Sequence, residues 1–249
     1  MARHPTILGR LFTIALAASA ATLTASCTPR EDDNRFIGAT TDNPLALKLT
    51  WFRYLAGEDI RQTCTADTPN HYRFVYNGDY NQQLRTYDVV ADHTGSALVT
   101  SRALTGSGIA TSIDLGFDDV LASWRWARGQ TRMSRGEVAA FNGTLARDAV
   151  FQRPDQAITL HSNGFYWVAT GCRDGAFFAN AWPFADERFQ ALAFPEALLV
   201  YDRTEVAVNP PRARDLAESA RAKSGPRGAK RSRQPYFVVE LGRDGFVGL

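Results

Sequence analysis

Three features of the sequence predict an α+β fold: a single domain with a mainly antiparallel sheet, built from two meanders with flanking helices. Residues 71–102 and 158–182 each read as consecutive short strands, separated by Asn-Gly, His-Thr-Gly or Asp-Gly turns. Helical patterns stand before, between and after these blocks instead of alternating with every strand. The stretch 43–249 has ordinary hydrophobic content and enough length to bury one core.

The elements follow in order. Asn43 suits an N-cap and Pro44 the first helical position, where a missing N–H costs nothing. Leu45, Leu49, Phe52 and Ala56 then recur at helical spacing, with Trp51 and Tyr54 beside the stripe and Gly57 as a stop. Glu58 to Cys64 reads as a further turn or two. Tyr72, Phe74 and Tyr76 alternate on one strand face, and Asn77-Gly78 reads as the hairpin turn into Leu84–Val90. His93-Thr94-Gly95 turns the chain into Ala97–Arg102. Residues 104–116 are rich in Gly, Ser and Thr and read as a loop.

Asp118–Arg128 carries Val120, Leu121, Trp124 and Ala127 and reads as a helix. Ser134-Arg135-Gly136-Glu137 matches a capping box ahead of a helix with Val138, Phe141 and Leu145 on its apolar face. The second meander is Ile158–Ser162, an Asn163-Gly164 turn, Phe165–Gly171, an Asp174-Gly175 turn, and Ala176–Trp182. Residues 186–194 read as a short helix capped by Asp186. Leu198–Tyr201 and Glu205–Val208 look strand-like, and Tyr236–Leu241 is a clear strand. The two meanders share hairpin logic but no aligned residues, so no repeat is assigned.

The N-terminus has another character. Arg3, His4 and Arg10 precede an apolar or small-residue run from Leu11 to Leu23. That run is short of the roughly 20 residues a membrane-spanning helix needs and fits a signal peptide's apolar region. It ends in Leu23-Thr24-Ala25-Ser26-Cys27. This ending resembles the lipobox of bacterial lipoproteins, in which a diacylglycerol is added to the cysteine thiol and the leader is cut just before it. Ala25 and Ser26 match the small residues of that motif, while Thr24 stands where Leu is usual. The resemblance covers the leader alone. It implies removal of 1–26, lipidation of Cys27, and anchoring in the cell envelope facing the periplasm. Thr28, lacking an acidic charge, favours the outer over the inner membrane. The other reading is cleavage after Ala18-Ser19-Ala20, leaving Cys27 as a free thiol. Residues 28–42 are polar and aperiodic and read as a tether.

With Cys27 lipidated, Cys64 and Cys172 remain, and an even pair in an oxidising compartment reads as a disulfide. Two reduced thiols or a metal site are the alternatives. The chain offers no set of histidine partners at zinc-site spacing, and no metal or cofactor is expected.

The formal net charge of +2 is uneven. Residues 211–235 hold Arg212, Arg214, Arg221, Lys223, Arg227, Lys230, Arg231 and Arg233 against Asp215 and Glu218, so the body is mildly acidic. Residues 212–223 have helix-forming composition and 224–235 do not. The segment reads as a solvated, disordered insertion, with an anionic lipid or envelope polymer as its possible partner. Nucleic acid does not suit an exported chain.

No catalytic motif stands out. His71, His93 and His161 show no ligand spacing, there is no G-x-S-x-G elbow, and Gly106-Ser107-Gly108 lacks the ending of a phosphate loop. The polar run Tyr76–Gln83 has the composition of a carbohydrate- or peptide-contacting loop, though a hairpin turn with solvated neighbours explains it better. Phe165, Tyr166 and Trp167 alternate across a strand, so at least one leaves the main core face, towards a helix or a binding surface. Two functions compete. One is a non-enzymatic, lipid-anchored envelope module that binds a partner. The other is a membrane-tethered hydrolase acting on an envelope substrate, which would need polar groups converging around a residue such as His161.

Overall fold

The computed structural model describes residues 51–80, 82–105, 127–211 and 237–247, all within one compact unit. The leader, Cys27, the tether, the Asn43-Pro44 cap, Gly106-Ser107-Gly108, most of the Asp118–Arg128 helix and the basic residues 212–235 lie outside the described residues.

The fold is α+β and its sheets are antiparallel. Helical residues 51–56 (α1) turn at Gly57 into α2 (Glu58–Thr63). Gly57 has φ of 64°, and a Cβ there would lie 2.7 Å from Thr170 Oγ1, so both conformation and packing demand glycine. Strands β1 (His71–Gly78), β2 (Gln83–Ala91), β3 (Ala97–Thr105) and β4 (Ala127–Met133) run as one meander. Helix α3 (Arg135–Arg147) follows, opened by the expected capping box of Ser134 and Glu137. Then come β5 (Ile158–His161), β6 (Phe165–Arg173), β7 (Ala176–Pro183), α4 (Glu187–Ala191), α5 (Phe194–Leu199), β8 (Val238–Gly242) and β9 (Gly245–Val247).

The large sheet has the order β4-β3-β2-β1-β6-β7, and the small one β5-β8-β9. The second block of strands is therefore divided. Its β6–β7 hairpin joins the large sheet through β1, whereas β5 pairs with β8 from the far end of the chain. The Asn163-Gly164 turn thus connects two sheets.

Four local expectations are corrected. Asn77 and Gly78 end β1 instead of turning it: the Asn77 amide is buried and donates to Ser162 O and Gly164 O, and the reversal occurs at Asp79, whose φ is 60°. Ala127 and Arg128 open strand β4 and do not end a helix. Leu198–Tyr201 is the end of α5 and a turn, because Phe194 and Leu198, four residues apart, bury one helical face. Glu205–Val208 forms no strand; it is strapped to β2 by side chains.

The large sheet is covered on both faces. On one, Tyr72, Phe74, Tyr87, Val99, Trp167 and Trp182 meet Phe141 and Leu145 of α3 and Phe194 and Leu198 of α5. On the other, Val75, Leu84, Tyr166 and Val168 meet Trp51, Phe52 and Leu55 of α1 and Leu160, Val239 and Leu241 of the small sheet. Cys64 and Cys172 form the expected disulfide, with Cα atoms 5.4 Å apart, pinning the end of α2 to the end of β6. No helix among the described residues is long and apolar enough to cross a membrane.

Candidate functional site

The most concentrated polar chemistry lies between α1, α2 and the strands beneath them. Arg73 and Asp88 face each other across β1 and β2, and Arg102 follows on β3. Alternation puts all three on the α1 side of the sheet, where Tyr54 and Asp59 descend from the helices. The Asp88 carboxylate accepts from Arg73 Nε at 2.8 Å, Arg102 Nη1 at 2.8 Å, Tyr54 Oη at 2.9 Å and His71 Nε2 at 3.2 Å. Arg73 also grips Asp59 with both terminal nitrogens, at 2.8 and 2.9 Å, and its guanidinium lies 3.8 Å from the Tyr54 ring centre.

Burial alone would raise the Asp88 carboxyl, but the Arg73 guanidinium, His71 and Arg102 outweigh it and hold the group well below the usual carboxylate range. Burial likewise opposes the charge on Arg73, and Asp88 with Asp59 more than offsets it. Burial first, and the Asp88 charge second, push the Tyr54 phenol far up. An aspartate committed to four donors, and held ionised this firmly, has little basicity left for activating a nucleophile. What it does is tie β1, β2, β3 and α1 together, and Arg73 extends the tie to α2 through Asp59.

A second clamp lies on the opposite face. Arg85 meets Asp202 and the Val206 carbonyl through its terminal nitrogens, and its Nε donates to Gln83 Oε1 at 3.1 Å. Tyr87 Oη donates to Asp202 at 2.6 Å, and Tyr76 Oη to the Asn209 carbonyl at 2.6 Å. These bonds hold residues 202–209 as a strap across the meander.

The histidines do not converge. His71 sits half-buried on β1 against Asp88, His93 is exposed in the β2–β3 turn, and His161 ends β5 in the other sheet, opposite Val238. The described residues of the polar run Tyr76–Gln83, which exclude Asn81, make bonds within the fold: Asn209 Nδ2 donates to Gly78 O and Gln82 Oε1, and Gln83 Nε2 to Ala207 O. Phe165, Tyr166 and Trp167 are all buried, Tyr166 beneath the α1 side, so their alternation reports two covered faces. A cleft of about 240 Å³ opens beside Arg147, Arg153 and Arg188, with Trp182 in its lining. Two of its charged groups are engaged elsewhere: Asp148 caps the N–H groups of Ala193 and Phe194, and Arg188 pairs with Asp186.

Sequence reasoning missed Arg73, Asp88, Arg102, Tyr54 and Asp59. The four charged residues each read locally as solvated and Tyr54 as a flank of the apolar helix stripe; they meet because α1 and α2 fold back over one face of the β1–β2–β3 meander.

Comparisons with known proteins add little. No family model matches the chain, and no curated protein matches it significantly. Among solved structures, the crystal structures of Trypanosoma bruciei MRP1/MRP2 align at 14% identity over 69% of this chain and 95% of that one, with a TM-score of 0.21, and no conclusion is based on them.

Proposed function

We propose that this chain is an exported cell-envelope protein, anchored through a lipid on Cys27, that serves as a binding module and not as an enzyme. In this reading the basic segment 211–235 rests on the anionic surface of the membrane that holds the anchor. The carrying observation is the leader and its ending, Leu23-Thr24-Ala25-Ser26-Cys27. Thr28 favours the outer membrane, with the domain facing the periplasm.

Chain geometry supports the shared surface. Trp51, where the described chain begins, packs against Tyr80, with ring centres 6.2 Å apart. Phe237 packs on the same Tyr80 at 4.9 Å, and Asn209 is bonded to Gly78. Trp51, Asn209 and Phe237, the described residues that follow the tether and flank the basic segment, thus meet at the β1–β2 turn. In this reading each basic residue brought to an anionic surface contributes about 1 kcal/mol. The disulfide suits an oxidising compartment. The commitment of Asp88 to four donors favours architecture over catalysis.

The test is expression of the full chain in a bacterium with two membranes, followed by fractionation and mass analysis of the mature N-terminus. The expected result is a diacylated Cys27 in the membrane fraction, with Cys27→Ser released to the soluble periplasm. Deleting 212–234, closed with a short Gly/Ser link, should reduce salt-sensitive binding to anionic vesicles. Soluble wild-type protein whose N-terminus lies elsewhere overturns the anchor.

A further inference from the structure

We infer that the seat of residues 202–209 on the large sheet is a binding site for a peptide segment of a partner protein, one that carries an aspartate and, three residues on, a glycine. The strap fills this site as an internal stand-in that the partner displaces. This rests on the reading of the chain as a binding module and gives the site and the chemistry of its partner.

Residues 203–209 belong to no helix or strand, and among the described residues no main chain–main chain hydrogen bond joins them to the sheet. Side chains of the sheet hold them instead. On β2, Gln83 brackets the strap with its amide, donating to Ala207 O and accepting from Asn209 N, both at 2.8 Å. Arg85, two residues on and so on the same face, donates to Val206 O and to the Asp202 carboxylate. Tyr76 of β1 donates to Asn209 O at 2.6 Å, and Ser101 Oγ of β3 accepts from Arg203 N at 3.1 Å. Five main-chain atoms of the strap are thus read by sheet side chains. Main-chain groups are alike in every sequence, so these contacts select a backbone path and not a sequence. Selectivity comes from the Asp202 carboxylate, which takes Arg85 and Tyr87 together. Charge-assisted bonds of this kind ask for an acid at that place.

The strap is an imperfect occupant of its own seat. Glu205 has φ of 60°, a left-handed conformation that is costly for a residue with a Cβ and open to glycine. Arg203, Glu205 and Ala207 are exposed, so those side chains add little burial to hold the segment down. What keeps the strap in place is its tether, since a segment joined to the chain competes at high effective concentration. A partner offering the same acid, with glycine at the strained position, meets the same donors without the strain. The strap of a second copy carries that strain too and gains nothing over the tethered one.

The test uses the full mature chain and fluorescent peptides of the strap sequence 202–209, followed by anisotropy. The wild type should bind the parent peptide weakly, because its own strap fills the seat. Asp202→Asn in the chain weakens the strap, leaves the side chains beneath it in place, and should tighten peptide binding about tenfold or more. Gly129→Ala should act in the same direction with Asp202 intact, because its Cβ would lie 2.4 Å from Arg203 O and push the strap away. Adding Gln83→Ala should cancel either gain. In the peptide, Glu205→Gly should strengthen binding about fivefold and Asp202→Asn weaken it about tenfold. Hydrogen exchange on the wild type reads the release itself: the Arg203 and Asn209 amides should exchange about tenfold or more faster than those of Tyr76 and Tyr87. The proposal is overturned if neither loosened variant binds the peptide better than the wild type, if Gln83→Ala leaves the gain intact, or if the Glu205→Gly peptide binds no better than its parent. It is also overturned if the strap amides exchange only as slowly as those of β1 and β2, or if the loosened variants dimerise in place of taking the peptide, which assigns the seat to a second copy. Fractionation of Cys27→Ser is read independently, so failure of the anchor and failure of the peptide site are distinguishable.

Discussion

Asp88→Asn tests whether the buried network bears stability as its geometry implies. The substitution keeps size and shape, removes the charge, and replaces one acceptor oxygen with a donor facing guanidinium groups. Arg73 and Asp88 are nearly sealed from water, with side-chain exposures of 4% and 12%, so solvent screening reduces the effect little. Removing one partner of a buried ion pair costs about 3–5 kcal/mol. Arg73 retains Asp59, at 2.8 Å, which places the loss near the lower end, about 3 kcal/mol. For a domain of this size each kcal/mol moves the midpoint by roughly 2–4 °C, so a drop of about 6–12 °C is expected at pH 7 by calorimetry or circular dichroism. The pH dependence follows from the depressed Asp88 carboxyl. Its stabilisation is complete above the unfolded-state value of about 3.9 and is lost as pH falls through the lower folded-state value. The gap between wild type and variant should therefore hold from about pH 7 to 5 and narrow below about pH 4. A variant that melts with the wild type at pH 7, or a gap undiminished in acid, refutes the reasoning.

Cys64→Ser and Cys172→Ser should each lower stability in urea by a few kcal/mol. A crosslink spanning 108 residues constrains the unfolded chain by about 4–5 kcal/mol in the loop-entropy model, and the double variant should be little worse because one link is lost in every case. Gly129→Ala should cost about 1–3 kcal/mol, because the new Cβ would lie 2.4 Å from the Arg203 backbone oxygen and the strap must move. Limited proteolysis should then cut within 203–211 faster than in the wild type, and an unchanged cleavage rate would show that the strap is not held at that crossing.

How far the sequence disclosed this fold depends on the range of each signal. Ser134 and Glu137 announce α3 because a capping box is complete within four residues. The Asp174-Gly175 turn is likewise local, both residues taking positive φ as the β6–β7 hairpin requires. Asn77-Gly78 carries the same local signal and misleads, because the Asn77 amide is claimed by Ser162 and Gly164, more than 80 residues away. β4 was invisible because an edge strand bearing Arg128, Gln130 and Arg132 has no apolar alternation to read. Arg73 and Asp88 alternate with buried aromatics, and in a sheet with one wet face that pattern places them in water. Here α1 and α2 cover that face, and Asp59 waits in α2 to receive Arg73. Burial of both faces is a property of distant pairings, as in the large sheet, where β1 must find β6 across the intervening strands. The disulfide crosses the same gap and was legible for a different reason. The pairing is read by counting the thiols left once Cys27 is expected to carry lipid and the compartment to be oxidising, and that count needs no knowledge of topology.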